Sequence, residues 1–114
     1  MQPDCPFCRI ISGEAAADRV YETGEVLAFR DANPQAPVHI LVVPKKHIAR
    51  LADVEPGDED VMGALMLAVG AVAEQEGVSD GFRLVINNGR PAGQSVFHIH
   101  AHLLAGRRFG WPPG

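Results

Sequence analysis

The sequence predicts an α+β domain: a mainly antiparallel five-stranded sheet carrying one long and one short helix. Three observations predict it. Five short runs rich in Val, Ile, Leu and Phe are separated by turn residues. One stretch, Met62 to Ala73, repeats apolar residues at helical spacing. Histidines alternate with apolar residues in Phe97-His98-Ile99-His100-Ala101-His102-Leu103-Leu104. Strands in hairpin order beside a single long helix indicate this class rather than a parallel sheet with alternating helices.

Taken in order, Cys5 to Ser12 reads as a short helix ended by Gly13. Val20–Glu22 and Val26–Phe29 flank Thr23-Gly24 and read as a hairpin. Val38–Val43 is a rich strand that Pro44 stops. Pro56 then opens an acidic first turn, Asp58-Glu59-Asp60, which suits the positive end of a helix dipole. Met62, Leu65, Met66, Val69, Val72 and Ala73 carry that helix to Gly77, and the stripe is expected in the core with no chemistry of its own. Phe82–Ile86 and Phe97–Leu104 complete the strands.

The chain of 114 residues is expected to form one domain, 1–114. A hydrophobic fraction of 46% and a charged fraction of 21% fit a packed globule rather than a disordered chain. Net charge is −4 and the basic residues are scattered, which argues against a broad nucleic-acid or membrane-binding surface. One nucleotide in a pocket remains compatible, because a pocket uses local groups. No apolar run approaches the roughly 20 residues of a spanning helix. Met1-Gln2-Pro3-Asp4-Cys5 lacks the basic-then-apolar pattern of a signal peptide, so the expected location is the cytoplasm.

In a strand, residues i, i+2 and i+4 share one face; in a helix, they could not converge. His98, His100 and His102 therefore line one side, and Phe97, Ile99, Ala101 and Leu103 point to an inner, buried one. Such a face is either plain surface, a metal site, or a nucleophilic centre, since imidazole is neutral, nucleophilic and proton-exchanging near pH 7. Cys5 and Cys8 are the only cysteines. A disulfide would not persist in a reducing compartment, and no strand precedes the pair as a thioredoxin-like site requires. Free thiols, or a zinc pair completed by two histidines, stay open. Taken alone, His39 reads as a partly buried strand histidine, and Asp31 and Asn87 as turn residues. Ser95 reads as a loop serine, and Phe7, Ile10, Phe29 and Leu41 as core.

The run His98-Ile99-His100-Ala101-His102-Leu103-Leu104 resembles the His-φ-His-φ-His-φ-φ signature of the histidine-triad (HIT) superfamily. Gly93-Gln94-Ser95-Val96, Pro44-Lys45-Lys46-His47-Ile48, Asp31 with Pro34-Gln35-Ala36-Pro37, and Trp111-Pro112-Pro113-Gly114 are similar to its HINT branch, bacterial type. That resemblance implies a homodimer whose sheets join into one ten-stranded surface. It further implies hydrolysis of purine nucleoside 5′-phosphoramidates through a nucleotidyl-histidine on His100, with AMP or GMP types as ligand. Ser95 and His102 would assist the leaving group, and His39 would orient or relay protons to the triad. Asp31 would hold both ribose hydroxyls, Asn87 would contact ribose and phosphate, and Phe7, Ile10, Phe29 and Leu41 would wall the base. Backbone amides from Gly93 through Gln94 and Ser95 to Val96 would bind phosphoryl oxygens. Trp111 would lie on a segment that reaches the partner's site and influences leaving-group choice. Catalysis would need no cofactor.

Some members carry a structural zinc on ligands matching Cys5, Cys8, His47 and His98; His98 would then serve the metal. Two departures stand out: Arg30, where relatives often have histidine, would lie against the adenine edge, and Ala101 replaces a larger aliphatic residue. Two other readings are weighed: a zinc hydrolase with His98, His100 and His102 as catalytic ligands, and a non-catalytic nucleotide- or partner-binding module.

Overall fold

Strands β1 (Arg19–Glu22), β2 (Val26–Arg30), β3 (Val38–Pro44), β4 (Arg83–Val85) and β5 (Ala101–Ala105) pair into one antiparallel sheet, ordered β1-β2-β3-β5-β4. The computed structural model describes residues 2–114. Hairpin order holds only through β3. The chain then runs through the long helix α2 (Glu59–Gln75), lays down β4 at the edge, and inserts β5 between β3 and β4. The short helix α1 (Pro6–Ile11) precedes the sheet, with Cys5 as its N-cap rather than its first residue.

The central strands are buried on both faces, as the unbroken apolar runs of β2 and β3 require. Val26, Ala28, Ile40, Val42, Ala101 and Leu103 face Leu65, Val69, Val72 and Ala73 of α2. Leu27, Phe29, Leu41 and Val43 face the opposite way and are covered by Cys5, Phe7 and Cys8 of the N-terminal segment. The helix thus makes one core, and the N-terminal segment makes a second that contains the histidines. Gly106 has φ +92°, and a Cβ there would stand 2.8 Å from Pro37 Cβ, so glycine alone lets the chain leave β5 against the loop before β3.

Several expected boundaries shift. The last strand begins at Ala101, not Phe97: its ladder with β3 ends at the pair Val42–Ala101, although β3 itself continues to Pro44 alongside β2. His98 closes the bend at 96–98 and His100 lies between that bend and β5, with the Ile99 N–H between them donating to the Ile48 carbonyl at 2.7 Å. Nor is the histidine face an open outer face: His98 is 0% exposed and His100 is 6%, because α1 packs over them. Phe97 is half-buried beneath the Arg90 guanidinium instead of joining the core. Met66 is exposed on the outer side of α2, and Phe82 precedes β4 rather than opening it. The first turn at Pro56 is 3-10, with α2 beginning at Glu59. None of the helices among the described residues is long and apolar enough to cross a membrane.

Candidate active site and cysteine–histidine cluster

Across the sheet, the register sets Phe29 opposite Leu41 and Leu41 opposite His102. This row floors a cleft of about 620 Å³ between β2, β3 and α1, within the usual range for a small-molecule site. Phe7, Ile10, Phe29, Leu41 and Val96 form its apolar walls, and Arg30, Asp31, Ser95, His100 and His102 supply its polar groups. Phe7 stacks edge-on against Phe29 and against His100, at 5.5 and 5.0 Å between ring centres. It therefore holds both the wall and the central imidazole.

The hydrogen bonds fix which nitrogens are free. His100 Nδ1 lies 2.8 Å from the His98 carbonyl, which can only accept, so the proton sits on Nδ1 and Nε2 carries the lone pair. His39 Nδ1 accepts the Gln35 backbone N–H at 3.0 Å, so the proton of neutral His39 sits on Nε2. That Nε2–H donates to His102 Nδ1 at 2.9 Å, with Asp31 Oδ2 at 3.4 Å as a second, longer acceptor. His102 is left with its proton on Nε2. The site thus sets a free lone pair, on Nε2 of His100, beside a donor, Nε2–H of His102, with ring centres 4.9 Å apart. Burial pushes His39 and His100 below the ordinary imidazole range and pushes His102 down to about 4, which keeps all three neutral at pH 7.

On the far side of α1, Cys5, Cys8, His47 and His98 bring one ligand atom each to within 4.8 Å of one another. Cys5 Sγ to His98 Nδ1 is 3.4 Å, Cys8 Sγ to His47 Nδ1 3.4 Å, Cys8 Sγ to His98 Nδ1 3.6 Å, and His47 Nδ1 to His98 Nδ1 3.2 Å. A regular tetrahedron with metal–sulfur bonds of about 2.3 Å and metal–nitrogen bonds of about 2.05 Å has sulfur–nitrogen edges of about 3.6 Å and a nitrogen–nitrogen edge of about 3.3 Å. The three sulfur–nitrogen distances and the one nitrogen–nitrogen distance agree with these edges to within about 0.2 Å. His98 Nε2 donates to the Pro44 carbonyl at 2.7 Å, leaving Nδ1 deprotonated toward the cluster, as a metal-ligating histidine is normally held. Burial pushes the Cys5 thiol up and His98 down to about 4. A bound cation would offset the first shift and suits the neutral imidazole of the second.

By contrast, Asp31, His39 and His102 also cluster, but His39 Nε2 carries the proton and has no lone pair to give a metal. Nor do the three triad histidines present nitrogens to one point: His98 turns Nδ1 to the cysteines and Nε2 to the Pro44 carbonyl, whereas His100 and His102 turn Nε2 to the cleft.

Residues 12–109 match the HIT domain family. The chain belongs to that family. A HIT family hydrolase from Legionella pneumophila Philadelphia 1 superposes with a TM-score of 0.95 at 47% identity, covering 97% of this chain and 100% of that one. A histidine triad nucleotide-binding protein from Candida albicans superposes at 0.83 with 31% identity, covering 96% and 83%. The 14 kDa zinc-binding protein of Zea mays is 50% identical over 110 residues, 95% of this chain and 86% of its own length.

Within this HIT chain, the residues singled out by sequence divide into three groups. Phe7, Ile10, Phe29, Arg30, Asp31, Leu41, Ser95, Val96, His100 and His102 line the cleft, with His39 directly behind His102. Cys5, Cys8, His47 and His98 form the cluster. Four residues lie elsewhere. Gln94 is buried, and its side chain braces its own loop, accepting from Gly89 N–H and donating to the carbonyls of Ala49 and Val96. Gly93 ends the 3-10 turn before it and lines no part of the cleft. Asn87 lines a neighbouring cavity instead, and Trp111 stands 85% exposed. Arg30 also has partners already, pairing with Glu76 at 2.9 Å and Asp18 at 3.6 Å. Sequence reasoning named Gln35 and Pro44 only as motif residues and missed that their backbone atoms set the tautomers of His39 and His98. Backbone groups have no residue-type signature; only the prolines around Gln35 marked a turn there.

Proposed function

We propose that this protein is a nucleoside 5′-phosphoramidate hydrolase of the HINT branch, acting on purine nucleotides. The observation that carries this reading is the pairing of a free Nε2 on His100 with a donating Nε2–H on His102 at one end of an apolar cleft. Phe7, Ile10, Phe29 and Leu41 receive the base, and the Asp31 carboxylate accepts from the ribose hydroxyls. The Candida relative's description as nucleotide-binding supports the same ligand class.

His100 Nε2 attacks the α-phosphorus and the phosphorus–nitrogen bond to the amine breaks. The departing nitrogen takes the His102 Nε2 proton, with Ser95 assisting. Beside the anionic phosphoryl group the His39–His102 pair first takes up a proton from solvent, and that is the one lost, so His102 is left a neutral imidazole. His100 gains the positive charge that His102 gives up, so the summed charge of the two is unchanged. Water then attacks phosphorus, returns its proton to His102 Nε2, and frees the nucleoside monophosphate. The covalent step divides one difficult displacement into two easier ones.

Cys5, Cys8, His47 and His98 would hold a structural zinc, as the distances and the Zea mays relative's description support. Such an ion ties α1 to the catalytic segment and takes no part in the bond changes. The resemblance adds a homodimer, and β4, one of the sheet's two edge strands, is an edge along which two copies would pair their sheets.

The test is hydrolysis of an adenosine 5′-phosphoramidate with and without His100→Ala. The variant should lose at least about 10³-fold in kcat while still binding AMP. Mass analysis of the trapped intermediate should place the nucleotidyl group on His100; an adduct elsewhere, or unchanged turnover, overturns the assignment.

A further inference from the structure

Between the 3-10 turn Arg90–Ala92 and β5 the chain has no sheet partner, and a few separate hydrogen bonds hold it instead. Near one end, Asn88 Oδ1 accepts the Ala52 N–H at 2.8 Å; at the other, the Ile99 N–H reaches the Ile48 carbonyl. Gln94, whose side chain is buried, holds the middle. Its Oε1 accepts the Gly89 N–H at 2.7 Å, and its own backbone N–H donates back to the Gly89 carbonyl at 3.1 Å. Both Nε2 protons are spent, on the carbonyls of Ala49 at 2.7 Å and Val96 at 3.0 Å. One carboxamide thus closes the turn on itself, ties it to the stretch after β3, and bridges over Ser95 to Val96.

This bracket decides which backbone N–H groups are left for a ligand. The Gly93 N–H donates to the Arg90 carbonyl at 2.9 Å and that of Gln94 to Gly89, so the turn consumes both. The N–H groups of Ser95 and Val96 meet no backbone carbonyl among the described residues, and both residues line the cleft beside His100 and His102. Successive unspent N–H groups suit an anion. Their aim follows from the two peptide planes between Gln94 and Val96. Gln94 holds that stretch at both ends, by its own N–H on Gly89 and by its Nε2 on the Val96 carbonyl.

Resting on the hydrolase reading above, we propose that Gln94 is a positioning residue for the phosphoryl group. Through Gly89, Ala49 and Val96 it aims the Ser95 and Val96 N–H groups at the phosphoryl oxygens, and it touches no part of the ligand itself. The role needs a carboxamide. Methionine fills a similar space and bonds none of the three partners. Glutamate keeps an acceptor for Gly89 but turns a carboxylate, which cannot donate, toward two carbonyls.

The test is calorimetric binding of AMP and of adenosine, which differ only in the phosphate. Wild-type protein should bind AMP more tightly than adenosine by about tenfold or more, the worth of one hydrogen bond to a charged group. Gln94→Met should raise the AMP Kd about tenfold and leave the adenosine Kd within about twofold. An AMP Kd within twofold of wild type overturns the proposal. Equal losses for both ligands also overturn it, because they would make Gln94 a merely structural residue. Should the methionine variant fail to fold, Gln94→Glu decides. Its protonated carboxyl accepts from Gly89 and donates to one carbonyl, so its AMP Kd relative to wild type should improve from pH 8 to pH 5. A ratio flat with pH overturns the proposal. Wild-type protein that binds AMP no more tightly than adenosine overturns it as well. Absence of turnover would overturn the hydrolase reading alone, since neither ligand is cleaved in this experiment.

Discussion

Nε2 of His39 stands 2.9 Å from Nδ1 of His102, and that contact determines which nitrogen of His102 faces the cleft. The determination begins one residue further out, where the Gln35 N–H occupies His39 Nδ1 and forces its proton to Nε2. Replacing His39 with glutamine keeps a donor but loses the fixed ring geometry. Turnover should fall by roughly 10²-fold, with a smaller change in KM through the contact His39 makes with Asp31, the proposed ribose acceptor. Single-turnover kinetics with the adenosine phosphoramidate measure it; a fall in affinity without a fall in kcat would assign His39 to binding.

Burial pushes His102 down to about 4, while an unfolded chain carries histidine near 6.5. Between those values the unfolded state takes up a proton that the native state refuses. Stability is therefore intact above about pH 6.5 and is lost as pH falls toward 4. Urea unfolding at pH 7.5 and pH 5 should show the loss. In His102→Asn the slope of stability against pH in that window should be shallower by up to about 1.4 kcal/mol per pH unit, the limit for one proton. Equal slopes would mean that His102 is ordinarily titrating in the native protein.

How much of this was legible beforehand follows from what side chains announce. The period-2 spacing of His98, His100 and His102 announced an extended segment, and the apolar residues between them announced a buried side. What it did not announce was that α1 would cover the histidine side too, because reading Phe7 as core does not say which residues it packs against until it is seen against His100. The Met62–Ala73 stripe placed α2 on the sheet, yet Met66 and Leu67 are exposed, since helical spacing gives the direction of a face and not its width. The insertion of β5 between β3 and β4 had no local signal, because pairing between distant strands is written in neither strand alone. The bracing role of the Gln94 side chain, spent on its own loop, had no local signal either.

Assembly gives a third prediction. β4 is a three-residue edge strand, and Leu67, Met66 and Phe82 leave 78%, 41% and 37% of their surface exposed. Unpaired edges and exposed apolar groups are usually covered. Light scattering at micromolar concentration should report two chains. Deleting residues 110–114 should alter the ranking of amine leaving groups more than AMP affinity, because Pro112 and Pro113 border the cavity that Asn87 lines and not the cleft. A monomer, or a deletion that weakens AMP binding alone, contradicts this.

The cysteine–histidine cluster yields the last prediction. The ligand atoms of Cys5 and Cys8 meet those of His47 and His98 from segments 39 to 93 residues apart, so a shared ion closes long loops and its affinity becomes folding stability. Protein purified without added metal should carry about one zinc per chain. Cys8→Ser should lose it and melt roughly 10 °C lower or more, as the loss of a few kcal/mol would produce in a domain of this size. Turnover measured cold should persist at a reduced rate. His100 Nε2 is free because His100 Nδ1 donates to the His98 backbone carbonyl, a bond that the Cys8 change does not remove directly. A zinc-free native protein, together with a Cys5→Ser, Cys8→Ser double variant that melts like its parent, would show that the pair is two buried thiols and that the tetrahedral match is packing alone.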